Sequence, residues 1–325
     1  MADTDKAPTW KTLGAFAIIY FVWGSTFLAI RFGVEEVPPF LLAAIRFTLA
    51  GAMLFGWALA RRERWPSRRE WGSALLLGVF VFVVDYGLVF WAERRVPSGI
   101  TAVLMATIPS FMAISEILIL RTQRFTLRLV LALLVGLAGV AVLVAPWPNL
   151  HDEPVDRAGA VALVFAAMGW SVGAVLTKKL PLPASKVMSS GSQMLAGGLL
   201  LALTALALGE HHGFSPAAVS SRAWLSLAYL VIPGSIIAYT VFLWLIQHET
   251  PTRVGTYAYV NPVVAVLLGY FAGGEPLGLR TLLGTMLVLV SVVLITVRST
   301  GKPATRLRAA KAAWIEPGNS RFSDS

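Results

Sequence analysis

"TYAYVNPVVAVLLGYFAGGE", residues Thr256 to Glu275, decides how the chain is to be read. Most of it is apolar enough for oil, yet Tyr257, Tyr259 and Asn261 crowd its first third and Pro262 follows at once. Proline removes an amide donor and clashes with the carbonyl four residues back, here that of Ala258, which loosens a helix. In lipid a freed backbone group must be satisfied internally or by water in a cavity. A defect of this kind beside three hydrogen-bonding side chains points to a polar cavity inside a membrane bundle. The plainer alternative is a kink, since membrane helices tolerate proline.

The whole chain has the composition this reading needs. It is 57% hydrophobic and 14% charged, with a mean hydropathy of +0.72, whereas soluble domains are nearer a quarter charged. The net charge of +10 does not imply nucleic acid, because Lys and Arg lie in short clusters between apolar runs. The chain has no cysteine, which excludes thiol catalysis, disulfides and cysteine metal sites. HExxH, P-loop and paired-aspartate motifs are absent, so neither a metal nor a cofactor is expected. The polar N-terminus has no signal-peptide core, and the first apolar run is expected to remain as a span.

About 20 apolar residues cross a bilayer as a helix. Ten such runs are predicted: Leu13–Val34, Pro39–Ala60, Trp71–Trp91, Ser98–Leu120, Leu129–Trp147, Ala158–Thr177, Val187–Leu208, Trp224–Gln247, Val254–Phe271 and Leu279–Val297. With the N-terminus inside, twenty of the 27 Lys and Arg fall in inner segments. Arg94, Arg95, Arg157, Arg222 and Arg280 fall in outer ones, and Arg31 and Arg46 within spans. The positive-inside rule then makes both termini cytoplasmic. The expected divisions are a cytoplasmic segment 1–12, a five-helix repeat 13–148, a second repeat 158–297 and a disordered cytoplasmic tail 298–325.

The two repeats rest on ordered matches at nearly constant offset. Tyr86 aligns with Tyr239, Trp91 with Trp244, and Pro109 with Pro262; Trp23 aligns with Trp170 and Arg31 with Lys178. Five is odd, so the second half enters the membrane from the opposite side. The fold class is therefore an all-α membrane protein of ten transmembrane helices in two inverted five-helix repeats, an arrangement suited to alternating access.

"IIYFVWGSTFLAIRFGVEEVPPFLLAAIRFTLAG", "VPSGITAVLMATIPSF" and "YAYVNPVVAVLLGYFAGGEPL" resemble the EamA-type proteins of the drug/metabolite transporter superfamily. The resemblance runs from about Leu13 to Val297. It implies a multi-pass transporter of the bacterial inner membrane, often an exporter of amino acids or other small metabolites, surrounded by lipid. It does not imply a substrate. One departure is that the first-half counterpart of "GGEPLGLR" is "RTQRFTLR", so the acidic residue after glycine exists only as Glu275.

Paired proline-interrupted helices in matching positions of two halves are a sequence pointer to a transporter's binding site. Pro109, flanked by Thr107 and Ser110, and Pro262 are the expected helix breaks. The expected substrate-binding set is Trp23, Trp170, Gln193, Tyr239, Tyr257, Tyr259 and Asn261, lining one cavity between the halves with Ser25, Thr26 and Ser171 nearby. Their donors orient a small polar or zwitterionic solute and their rings give it an apolar wall. For each alone the plainer reading is packing, or a hydroxyl bonded to its own helix.

An ionised side chain at the bilayer centre costs about 2.5–3.5 kcal/mol on insertion scales. Arg31 and Glu116 lie near span ends and can snorkel. Arg46 and Asp85 lie about 9–10 Å below the outer ends of consecutive spans at 1.5 Å per residue. Equal depth and opposite sign predict a buried pair, either a folding lock or a proton-coupling site. The rival functions are an intramembrane enzyme and a passive channel. "GWSVG", Gly169 to Gly173, fits G-x-S-x-G, but that elbow needs a strand–turn–helix context, and all four histidines fall in loops. A channel would show charged rings or filter carbonyls, and neither is evident.

Overall fold

The computed structural model describes residues 9–121, 126–144, 155–248 and 257–296. The described residues are built of helices: α1 Thr9–Val34, α2 Pro39–Ala60, α3 Arg68–Glu93, α4 Ser98–Leu120, α5 Leu127–Val144, α6 Arg157–Leu176 and α7 Lys186–Ala207. They continue with α8, running from Ser221 to His248, then α9 Tyr257–Gly273 and α10 Leu279–Thr296. Among the described residues, α1 to α8 each contain a helix long and apolar enough to cross a membrane. α9 and α10 hold shorter apolar stretches, Val260–Gly273 and Leu279–Leu294. The expected boundaries agree to a few residues, and α2 agrees at both ends. α1 starts at Thr9 rather than Leu13, with the ammonium of Lys11 5.6 Å from the ring of Trp10. The expected tail, 298–325, lies outside the described residues.

Local chemistry explains where the helices begin. Ser67 and Glu70 form a reciprocal capping box at the start of α3. Asp156, Ser185 and Ser220 cap α6, α7 and α8. α2 and α4 follow Pro38 and Pro97, which bring no capping side chain, and remote carboxylates serve instead. Glu210 accepts from the amides of Phe40 (3.4 Å) and Leu41 (2.8 Å). Glu275 accepts from those of Ser98 (2.6 Å) and Gly99 (3.0 Å). Both place negative charge on the unsatisfied donors of a helix N-terminus. Gly274, with φ +65°, turns the chain so that Glu275 folds back over the end of α9, where its own amide reaches the carbonyl of Gly269 at 2.9 Å. That accounts for the "GGE" closing the opening stretch. Outside the spans, burial raises the Glu210 carboxyl above the usual carboxylate range, whereas bonds from Ser220 lower that of Glu36.

Three helices depart from α geometry. α3 is π-helical over Gly78–Gly87, and α8 over Leu230–Ile237. α4 consists of Ser98–Met105, a break at Ala106 and Thr107, Ile108–Ser115 and a π-helical end, Glu116–Leu120. Such wide turns occur frequently at functional sites.

Small residues bring helices into backbone contact, as in small-xxx-small packing. A Cβ on Gly51 of α2 would lie 2.7 Å from the Leu195 amide of α7. One on Gly191 would lie 2.6 Å from the Phe55 amide, and one on Gly198 2.8 Å from that of Thr48. α5 and α10 meet likewise: a Cβ on Gly139 would lie 3.0 Å from the Val288 amide, and Ser291 Oγ donates to the Ala132 carbonyl at 2.6 Å. In addition α1 packs on α8 and α9, α6 on α3 and α4, α3 on α7, and α2 on α8. The outer faces stay apolar, with Leu131, Leu134 and Leu137 exposed along α5 and Leu199, Leu203 and Leu206 along α7. Such stripes are a liability in water and suit lipid.

Candidate functional site

The π-helical part of α8 organises the centre of the molecule. Its Gly234 carbonyl accepts from Trp23 Nε1 of α1 at 3.3 Å. The next residue, Ser235, accepts on its hydroxyl from Arg46 Nε of α2 at 3.1 Å and donates to the Leu230 carbonyl five residues back at 2.9 Å. The wide turn thus presents adjacent polar groups to two neighbouring helices.

Rings extend from both contacts. Trp23 lies 5.1 Å from Phe242 and 5.1 Å from Tyr257, edge to face with the latter, and Phe242 lies 6.3 Å from Tyr239. On the other side Tyr86 of α3 lies 4.5 Å from Phe47 and 6.0 Å from Trp170 of α6. The guanidinium carbon of Arg46 sits 4.8 Å from the Phe47 ring, 5.3 Å from Tyr86 and 5.9 Å from Phe90. Cation–π attraction of this kind is worth about 2 kcal/mol when desolvated. Of the expected binding residues, Trp23, Tyr239 and Tyr257 therefore share one ring cluster, and Trp170 joins a second through Tyr86. Gln193 donates to Ser189 Oγ on its own helix at 2.9 Å. The side chain of Tyr259 lies outside the described residues.

Two expectations are corrected, the Arg46–Asp85 pair and the break at Pro262, and a third residue, Asn261, is given helix partners. First, Arg46 and Asp85 are both buried, at 3% and 2% exposed, but they form none of the four ion pairs among the described residues. Depth alone does not fix the direction in which a helical side chain points. Tyr86, the next residue after Asp85 and so on a different side of the helix, presents its ring to Arg46 instead. Second, Asn261 is buried, and its amide, oriented by the surrounding carbonyls, donates to Tyr257 on its own helix and to Tyr20 of α1, each at 3.2 Å. It fastens α9 to α1 across Gly24, where a Cβ would lie 3.2 Å from the Asn261 carbonyl. Third, α9 runs through Pro262 unbroken, whereas Pro109 does coincide with the break in α4.

The prominent grooves lie elsewhere. One of about 610 Å³ runs along α2, α3 and α6 between Phe40, Trp91 and Phe165. The other, about 460 Å³, lies between α1 and α8, where Ser25 and Tyr229 share a 2.6 Å hydrogen bond. Neither contains the two ring clusters. "GWSVG" packs helices: Ser171 donates to the Ala167 and Ile108 carbonyls, and a Cβ on Gly169 would lie 2.8 Å from the Phe80 carbonyl. Sequence reasoning missed Ser235, Phe47, Phe90 and Phe242, and also Glu93, which is buried with neither carboxylate oxygen hydrogen-bonded. Tyr86 had a signal, as the repeat partner of Tyr239.

The profile of the EamA-like transporter family matches residues 10–145 and again 157–297. The chain belongs to that family. YedA of Escherichia coli (strain K12), named as an uncharacterized inner membrane transporter, is 36% identical over 285 residues, which cover 87% of this chain and 90% of YedA. Protein PecM of Dickeya dadantii (strain 3937) is 29% identical over 292 residues, covering 87% of this chain and 93% of PecM. A solved structure titled "Crystal structure of protein" aligns with a TM-score of 0.56 at 25% identity, over 89% of this chain and 97% of that one. This EamA-like transporter therefore has a lipid-embedded helical body and a small-molecule substrate.

Proposed function

We propose that this EamA-like protein is a ten-span secondary transporter of the bacterial inner membrane. It is built from two inverted five-helix repeats, has cytoplasmic termini, and exports a small polar metabolite by alternating access. The paired π-helical segments carry the reading. They occupy α3 and α8, the third helix of each repeat, and both adjoin the Arg46 and Trp23 centre. The packing pattern supports it, because exchanging each helix for the one five later maps contacts onto contacts. α2 with α7 and α5 with α10 map onto themselves, α1 with α9 onto α6 with α4, and α3 with α6 onto α8 with α1. The double family match fits the same division. The inner location rests on the name of YedA, the orientation on the Lys and Arg asymmetry, and the export direction on the family resemblance.

Because the chain has no cysteine, single cysteines report cleanly. Ala2→Cys and Ser325→Cys are expected to react with an impermeant maleimide only when the inner face is accessible. Reconstituted vesicles loaded with an amino-acid and organic-acid panel, with and without a proton gradient, test transport itself. Saturable flux of a few related compounds is expected. No flux, or flux rising linearly without saturation as in a channel, would refute the reading.

A further inference from the structure

The larger groove is apolar along its length and cationic at one end. α6 lines it with Arg157, Val161 and Phe165, four residues apart on one helix face, and α3 with Leu88 and Trp91. Its volume is about 610 Å³, and Val161 and Phe165 are both 54% exposed, so it opens on the lipid-facing surface. From Arg157 to Phe165 it descends about 12 Å at 1.5 Å per residue. One leaflet of the hydrocarbon core is about 15 Å deep. Apart from Arg157 the lining is apolar. At the same end the guanidinium carbon of Arg95 stacks 4.1 Å from the Trp91 ring, and Arg94 is exposed next to it in sequence. The turn between α3 and α4 is held against α6 there, since a Cβ on Gly159 would lie 2.5 Å from Val96 Cγ2. None of these three arginines joins the four ion pairs of the described residues. The neighbouring carboxylates are otherwise engaged. Asp156 accepts from the Gly159 amide at 2.6 Å, Glu210 accepts from those of Phe40 and Leu41, and Glu93 is wholly buried.

We propose that this groove binds an anionic phospholipid, with an acyl chain along Leu88, Val161 and Phe165 and the phosphate at Arg157 and Arg95. Guanidinium groups take phosphate oxygens in two-bond pairs, and each basic residue near a membrane surface adds attraction for anionic lipid. Trp91 marks the headgroup level, where indole rings concentrate. A zwitterionic headgroup fits less well, because its ammonium meets arginines and no carboxylate left to pair with it. The groove is separate from the Arg46 and Trp23 centre. Its lipid is the same whichever way the chain is inserted and whatever the chain carries.

The test is thermal unfolding of the detergent-solubilised full chain titrated with dioleoyl phosphatidylglycerol, dioleoyl phosphatidylcholine or glycerol phosphate. Phosphatidylglycerol is expected to raise the melting temperature with a midpoint about fivefold or more below that of phosphatidylcholine. Glycerol phosphate should have no effect at the same concentrations. Arg157→Gln and Arg95→Gln should each weaken the phosphatidylglycerol response about fivefold, as the loss of one charge at a lipid surface predicts. Arg69→Gln removes the same charge at the opposite end of α3 and should change nothing. Ala158→Phe, which fills the groove from α6, should weaken the response with every arginine in place. Equal responses to the two lipids, an equal loss in Arg69→Gln, or an undiminished response in Ala158→Phe overturns the proposal. So does glycerol phosphate acting as well as the lipid, which would make the arginines a site for a free anion. Should Arg157→Gln fail to fold, Arg95→Gln and the wild-type lipid series still decide it.

Discussion

Pro109 and Pro262 align between the two halves of the sequence, yet they do different things to the backbone. At Pro109 the helix comes apart. The Thr107 amide reaches Leu104 and the Ser110 amide reaches Thr107, a tightened turn, and Thr107 Oγ1 adds a 2.7 Å bond to the Leu104 carbonyl. Ser171 of α6 then binds the Ile108 carbonyl. At Pro262 α9 continues, while Asn261 clasps carbonyls on two helices. The residue before a proline is pushed away from helical geometry. What a proline does is set by the groups that answer it, so a matching proline does not predict a matching break.

Removing those groups should separate the two sites. The largest effect is expected from Asn261→Ala, which leaves the Tyr20 and Tyr257 carbonyls without the amide. At about 1–3 kcal/mol for a buried unsatisfied group, offset by the modest worth of membrane hydrogen bonds, a loss of about 2 kcal/mol in denaturant unfolding is expected. A mutant as stable as wild type but dead in flux would return Asn261 to the substrate. Ser171→Ala should cost less, about 1 kcal/mol, with faster amide exchange at Ser110 and Phe111 while α9 is unaffected; equal loosening of α9 would mean that the sites are not independent. Pro262→Ala should do least, below about 0.5 kcal/mol in either direction, because the helix already passes through it. A rise in melting temperature of several degrees would show that Pro262 is strained after all.

Much of the fold was legible. Apolar length and Pro39 at a helix start marked α2 at both ends. The wide turns in α3 and α8 were not, because an i→i+5 pattern has no residue signature; Pro233 was the only flag, and α3 has none. Nor was the Arg46 environment. Sequence shows depth but not azimuth, and the expected partner Asp85 gave way to the ring of its neighbour Tyr86. Glu275 was visible as a motif residue, but its use as the cap of a helix 177 residues away in sequence is a tertiary fact. Polarity and sequence matching mark Trp23, Tyr239 and Tyr257 but not the apolar Phe242.

The glycine seams have a meaning for how the molecule is made. α2 is synthesised long before α7, and α5 before α10, so the first half enters the membrane with Gly51, Gly136 and Gly139 lacking the helices that will cover them. Each is covered by a helix that arrives with the second half. A first half released alone would keep those notches open to lipid or to another chain. The two halves of the sequence are assembled as one unit.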